Sequence, residues 1–272
     1  MLSAAQHEAV TSEAARPLQI LAGPGSGKTR VLTSRVAHLV RDSAAPIAPE
    51  RCVVVTFTNR AANEMRARLE TMIGADRTRR LVLGTFHAVC VRFLRRWGTR
   101  LGLDPRFTIA DTDDARRLLR DVDRDAPVDA TLAAISRAKA HGWTPDELRA
   151  SAQHAPGSPA HTEHLALCRT YAAYQQQLRT SHALDFDDLL LLGVRLFREH
   201  PELTTHIDHV LVDEFQDTNA VQYELLRRLS RHVSVVGDPD QSIYSWRHAD
   251  VRHIERMHLD FPGLHRVLLD EN

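Results

Sequence analysis

One stretch constrains this chain more than any other: Leu18-Gln19-Ile20-Leu21-Ala22-Gly23-Pro24-Gly25-Ser26-Gly27-Lys28-Thr29-Arg30. An apolar run ends in a glycine-rich turn, and Val31, Val36 and Leu39 then follow at helical spacing. Strand, glycine loop and helix are the context in which a backbone wraps a phosphate. Glycines let successive N–H groups converge on one anion, and the helix N-terminus adds favourable partial charge. In that setting Lys28 reaches the β- and γ-phosphates and the Thr29 hydroxyl holds Mg²⁺. Ala22 stands where the motif more often has Gly.

The composition narrows the surroundings of this loop. A net charge of zero excludes a uniformly basic nucleic-acid binder, so any such role must rest on local features. The only lysines are Lys28 and Lys139, and arginine supplies every other cation. Against that bias, a lysine in the loop marks a place where a compact ammonium fits and a planar guanidinium does not. Cys52, Cys90 and Cys168 lie far apart and show no metal-ligand spacing, which predicts reduced thiols. The histidines form no zinc-like pairs, and most read as surface residues. No segment approaches the roughly 20 apolar residues of a membrane span. A soluble cytoplasmic protein with no membrane partner is expected.

Strands and helices alternate through the first hundred residues. Ser3 is a candidate N-cap for a short helix that carries Gln6, whose amide can both donate to and accept from an adenine edge. Cys52-Val53-Val54-Val55-Thr56-Phe57 reads as a buried strand, residues 61–73 as a helix, and Leu81-Val82-Leu83-Gly84-Thr85 as the next strand. Alternation of this kind predicts a parallel sheet whose ligands gather at the carboxyl ends of the strands. Asn59 and His87, just past two of those ends, belong on the same rim as the loop.

From about residue 101 the pattern turns helical. Ala115, Leu118, Leu119 and Val122 share one face, as do Leu167, Tyr171, Tyr174 and Leu178. No strand is predicted until His209. The domain division expected is 1–100 and 185–272 for the sheet domain, with a helical insertion over 101–184. Asp185, Asp187 and Asp188 open an amphipathic helix whose N-terminal dipole they suit. His209-Val210-Leu211-Val212 then delivers Asp213 and Glu214. An apolar strand ending in Asp-Glu suits Mg²⁺-dependent nucleotide hydrolysis, with Asp213 holding the metal and Glu214 activating water. A last strand, Ser234-Val235-Val236-Gly237, runs into Asp238-Pro239-Asp240-Gln241-Ser242-Ile243-Tyr244-Ser245-Trp246-Arg247, where the aromatics form a candidate stacking platform for bases.

Read in order, seven segments resemble the motifs of the UvrD/PcrA/Rep family of superfamily 1 DNA helicases: LSAAQHEAV, AGPGSGKT, VTFTNRAANEM, GTFH, LDFDDLL, VDEFQDTN and VVGDPDQSIYSWRHAD. The resemblance implies a RecA-like P-loop domain interrupted by a helical accessory domain, compact here around residues 121–133. It implies ATP and Mg²⁺ as ligands, with single-stranded DNA or a single/double-strand junction as substrate and translocation 3′ to 5′. Nucleotide contacts would come from Gln6, Ala22 to Thr29, and Arg30. Lys28, Asp213, Glu214 and Gln241 would act in catalysis, with Gln241 sensing the γ-phosphate. Phe57, Asn59, His87, Tyr244 and Trp246 would line the DNA path. His248 stands where relatives carry Gly. Leu268-Leu269-Asp270-Glu271-Asn272 resembles the start of motif IV. The family's adenine-stacking Tyr, its arginine fingers and a second motor domain, in cis or trans, are therefore expected outside these residues. Weak motor activity is expected of this part alone. Two rival readings are a non-motor module that binds nucleotide or single-stranded DNA, and the front end of a helicase–nuclease.

Overall fold

A computed structural model describes residues 2–152, 157–238 and 252–269. The first elements are α1 (Ala4–Thr11), β1 (Leu18–Ala22), α2 (Lys28–Ala37), β2 (Cys52–Thr56), α3 (Asn59–Ile73), α4 (Ala75–Arg80), β3 (Val82–Thr85) and α5 (Phe86–Trp97). A helical stretch follows: β4 (Thr108–Ile109), α6 (Thr112–Val122), α7 (Val128–Ala140), α8 (Pro145–Ala150), α9 (Pro159–Thr180), β5 (Ala183–Leu184) and α10 (Phe186–Glu199). The chain then adds β6 (His209–Val212), α11 (Ala220–Leu229), β7 (Val233–Gly237), α12 (Arg252–Asp260) and β8 (His265–Leu269). It divides into two compact units, residues 1–89 with 197–272, and residues 90–196.

The first unit is built on a six-stranded sheet in the order β3-β2-β6-β7-β1-β8, and every described pairing in it is parallel. β2, β6 and β7 lie inside the sheet and are buried along their whole length, including the polar His209 and Ser234, which hydrogen-bond to each other. β8 is an edge strand and alternates instead, with Val267 and Leu269 buried and Leu268 exposed. One face of the sheet, with Leu18, Ile20, Cys52, Val54, Leu211, Val236 and Val267, packs with Val31, Leu32 and Val36 of α2 and with Met65 and Leu69 of α3. Ser3 caps α1 in a reciprocal box: its hydroxyl accepts from Gln6 N, and Gln6 Oε1 accepts from Ser3 N.

The second unit is a cluster of helices closed over Ala115, Leu119, Ile135, Leu148, Cys168, Tyr171, Tyr174 and Leu178. It also contains a parallel ladder two residues long, with Thr108 opposite Ala183 and Ile109 opposite Leu184, where the sequence pattern predicts no strand. At its centre lies Lys139, fully buried, with Nζ 2.6 Å from Asp185 Oδ2 and 2.8 Å from Asp188 Oδ1. The two aspartates also cap α10, each accepting from the other's backbone N–H. Burial pushes the Lys139 pKa down, but the charges of Asp188 and Asp185 more than reverse this, leaving it above the ordinary lysine value. Tyr174 Oη donates to Asp185 Oδ2, and both Tyr171 and Tyr174 have pKa values raised by burial and by these acids.

Lys139→Met keeps the volume but leaves two carboxylates buried without their cation. It is expected to cost about 3–5 kcal/mol in urea unfolding. Adding Asp185→Asn and Asp188→Asn should recover much of that loss, since the uncompensated charge is what costs. A single variant as stable as the parent would show that the cluster contributes little.

Candidate functional site

The carboxyl ends of five strands deliver the candidate residues to one edge of the sheet, where parallel sheets bind ligands. β1 leads into the glycine loop, β6 into Asp213 and Glu214, and β7 into Asp238. On the other half of the same edge, β2 leads to Phe57 and Asn59, and β3 leads to His87.

The loop takes its shape from glycine. Gly25 and Gly27 have φ of 79° and 84°, in the left-handed region that side chains avoid. Gly27 has a second reason to lack a side chain: a Cβ there would come within 3.2 Å of Gln6 Nε2. Ser26 Oγ closes the turn by donating to Gly23 O at 2.7 Å. Ala22 is buried at the end of β1, Pro24 and Arg30 are exposed, and Lys28 and Thr29 open α2. Lys28 Nζ lies 3.2 Å from Asp238 Oδ2 and 3.3 Å from Ala22 O. An anion entering the loop would compete with Asp238 for this ammonium.

Gln6 reaches the loop directly, its Nε2 donating to Ser26 O at 2.9 Å. With Oε1 engaged by Ser3 N, each end of the amide still has capacity for one more bond to a base. The helix that carries it is held from below by Arg35 of α2, whose side chain is fully buried. Arg35 Nη1 donates to the carbonyls of Ala9, Val10 and Ser12, and Nε donates to Ser234 Oγ. The partial negative charge at the C-terminal end of α1 substitutes for a counter-carboxylate. Burial still lowers the Arg35 pKa to about 10.

The two acids after β6 sit in a sharp turn. Asp213 is 2% exposed, and Glu214 has φ of 48°, an uncommon conformation for a non-glycine residue. The Asp213 pKa is pushed up to about 7, first by burial and then by the charge of Glu214, while the Glu214 N–H and Lys28 oppose the shift. A buried carboxylate beside another carboxylate gains from a cation. Asp213 and the Thr29 hydroxyl are hard oxygen donors, and they fit Mg²⁺, which takes few protein ligands and fills its shell with phosphate and water. Gln216, 3% exposed, bridges outward from this turn: Nε2 donates to Glu214 Oε2 at 2.9 Å, and Oε1 accepts from Asp238 N at 3.0 Å.

On the other half of the edge, Phe57 is half-buried and meets Phe86 edge to face, with ring centroids 5.6 Å apart. Asn59 is exposed in the first turn of α3, and His87 is half-buried. Gln241, Tyr244, Trp246 and His248 lie outside the described residues. Sequence reasoning missed Arg35, Gln216 and the part played by Asp238. Gln216 and Asp238 lie within two of the quoted motif segments and Arg35 lies outside them, but an alternation of buried and polar residues does not reveal which polar groups pair.

The sequence profile of the UvrD/REP helicase N-terminal domain matches residues 2–262. The ATP-dependent DNA helicase PcrA of Leuconostoc citreum is 41% identical over 270 residues, covering 94% of this chain and 35% of that protein. The protein of the same name from Staphylococcus epidermidis is 38% identical over 286 residues, covering 100% of this chain and 38% of its own. The Staphylococcus aureus protein is 38% identical over 282 residues, covering 98% and 37%. This chain thus spans little more than a third of the length of these relatives.

Proposed function

The chain belongs to the UvrD/REP helicase family, and from that premise we propose that residues 1–272 form the ATP-binding half of a motor that moves 3′ to 5′ on single-stranded DNA. The observation that carries the reading is one connected set of contacts. It runs from Gln6 through Ser26 to the glycine loop, from Lys28 to Asp238, and through Gln216 to Glu214.

In this reading the loop N–H groups and Lys28 hold the triphosphate, and Gln6 reads the adenine. Asp213 and Thr29 would hold Mg²⁺, which supplies charge neutralisation at the phosphates when bound. The Glu214 carboxylate takes the proton of the attacking water. Gln241 would sense the γ-phosphate for the DNA-facing segment that carries Tyr244 and Trp246. Single-stranded bases, including those at a junction with duplex, would stack on Phe57 and Trp246. No helix of the described residues is long and apolar enough to cross a membrane. A role in DNA repair within the cytoplasm is consistent with the relatives.

Lys28→Ala tests the nucleotide site. Charge-assisted contacts of this kind are worth about 1.5–3 kcal/mol, so ATP·Mg²⁺ should bind roughly ten- to a hundredfold more weakly in titration calorimetry. Unchanged binding would refute the loop assignment.

The DNA half is tested separately. Phe57→Ala and Trp246→Ala should each weaken oligonucleotide binding by about 1–3 kcal/mol with little regard to base identity. The salt slope should be shallow, since a chain of zero net charge neutralises few phosphates. A steep slope indifferent to both substitutions would place the DNA elsewhere.

A further inference from the structure

Between the last residue of β7 and the acid turn after β6 lies a buried amide that the reading above names only as a link in the contacts. Gln216 uses both ends of its side chain. The donor end holds Glu214 Oε2, and the acceptor end takes the backbone N–H of Asp238. The fit around it is close. A Cβ at Gly237 would come within 2.9 Å of Gln216 Oε1 and 3.2 Å of Gln216 N, so a side chain there would crowd the amide out of its present place at the end of β7. Glu214 itself occupies left-handed backbone, with φ of 48° and ψ of 45°. Its carboxylate is thus presented from a strained turn and steadied by one side-chain donor two residues on.

We propose that Gln216 is a positioning residue that fixes the Glu214 carboxylate relative to the end of β7. The inference rests on the hydrolytic reading of Glu214, since an unused carboxylate would need no aiming. The chemistry calls for glutamine at this place. A carboxylate could accept from Asp238 N, but it would set a second negative charge against Glu214. An apolar residue would fill the space and satisfy neither neighbour, leaving the Asp238 N–H without its acceptor in a buried position. Asp238 also pairs with Lys28, so the same amide registers the proposed base against the strand end that faces the phosphate-binding lysine. Movement of that strand end would be passed to Glu214 through a single side chain. Gln216 contacts no reacting atom, and its effect on chemistry passes through Glu214.

The test combines a double-variant cycle with a spectroscopic readout that needs no nucleotide. Single-turnover ATP hydrolysis is measured with protein in excess, with the second motor domain of a PcrA relative supplied in trans, for the parent, Gln216→Leu, Gln216→Glu, Glu214→Gln and the double variant Glu214→Gln/Gln216→Leu. ATP·Mg²⁺ affinity and urea unfolding are measured alongside. Gln216→Leu and Gln216→Glu should slow hydrolysis about ten- to a hundredfold, the range expected for a lost hydrogen bond to a charged group. Nucleotide affinity should change less than about threefold, because the effect falls on the chemical step. The double variant should be no slower than Glu214→Gln alone. In the ligand-free chain, the Gln216 side-chain amide resonance should shift in Glu214→Gln and again in Gly237→Ala, which crowds the amide without altering its chemistry.

Slowing by Gln216→Leu that multiplies with that of Glu214→Gln would overturn the proposal and leave the base assignment standing. So would an amide resonance indifferent to both neighbouring substitutions. Hydrolysis indifferent to Glu214→Gln would remove the hydrolytic reading itself, and this inference with it. Should Gln216→Leu fail to fold, Gly237→Ala supplies the same cycle with the Gln216 side chain present.

Discussion

With a second motor domain of a PcrA relative supplied in trans, Glu214→Gln is expected to lower ATP turnover about 10²- to 10⁴-fold while leaving ATP·Mg²⁺ affinity nearly unchanged. That range is what a positioned general base contributes. The substitution is isosteric, so the turn after β6 and the contact with Gln216 can persist, with an amide oxygen accepting where the carboxylate did. It removes the group that takes the proton from water. It also removes the negative charge that helps push the Asp213 pKa up to about 7, so metal binding should be no weaker. The expected signature is therefore a selective loss of kcat. Single-turnover hydrolysis beside a direct binding titration reads the two effects apart. Equal losses in binding and turnover would mean that Glu214 holds the ligand and does not act on water.

The parts of this molecule that announce themselves in sequence are those where one physical requirement dominates. Cys52 to Thr56 reads as a buried strand because an inner strand of a parallel sheet is covered on both faces, and the structure buries all five residues. The glycine loop is legible because positive φ at Gly25 and Gly27 excludes almost every other residue. Ser3 and Gln6 form the box that their spacing allows.

Other features depend on pairings that no local pattern encodes. The ladder of Thr108–Ile109 with Ala183–Leu184 is too short to show periodicity and joins segments far apart in the chain. The same lysine scarcity that singled out Lys28 held for Lys139, yet only tertiary packing shows that Lys139 sits between two aspartates. Those aspartates read in sequence as acids that suit a helix N-terminal dipole, and in the structure they cap α10. They also pair with the buried lysine. Arg35 is a harder case. A buried arginine whose partners are mostly backbone carbonyls leaves no complementary acid to search for.

The largest effect is expected from a second motor domain that brings an arginine to the phosphates. Lys28, Asp213, Glu214 and Gln216 surround the candidate site with one cation, two carboxylates and an amide. Of these four described residues, only Lys28 would offer positive charge to the negative charge building on the transferred phosphoryl group. In related P-loop chemistry an arginine approaching from outside is worth about 10³–10⁵ in rate. Residues 1–272 assayed alone should therefore bind ATP weakly, hydrolyse it barely above background even with single-stranded DNA, and separate no strands. Adding the second motor domain of a PcrA relative, in trans or fused after Asn272, should raise DNA-stimulated turnover by about 10³–10⁵. Replacing that domain's arginine fingers by Ala should cancel the gain, and so should Glu214→Gln in this chain, because one supplies the cation and the other the base for the same step. Phosphate release measured with and without the added domain decides the matter. Vigorous DNA-stimulated turnover by residues 1–272 alone, unmoved by Glu214→Gln, would mean that hydrolysis is organised here by other groups.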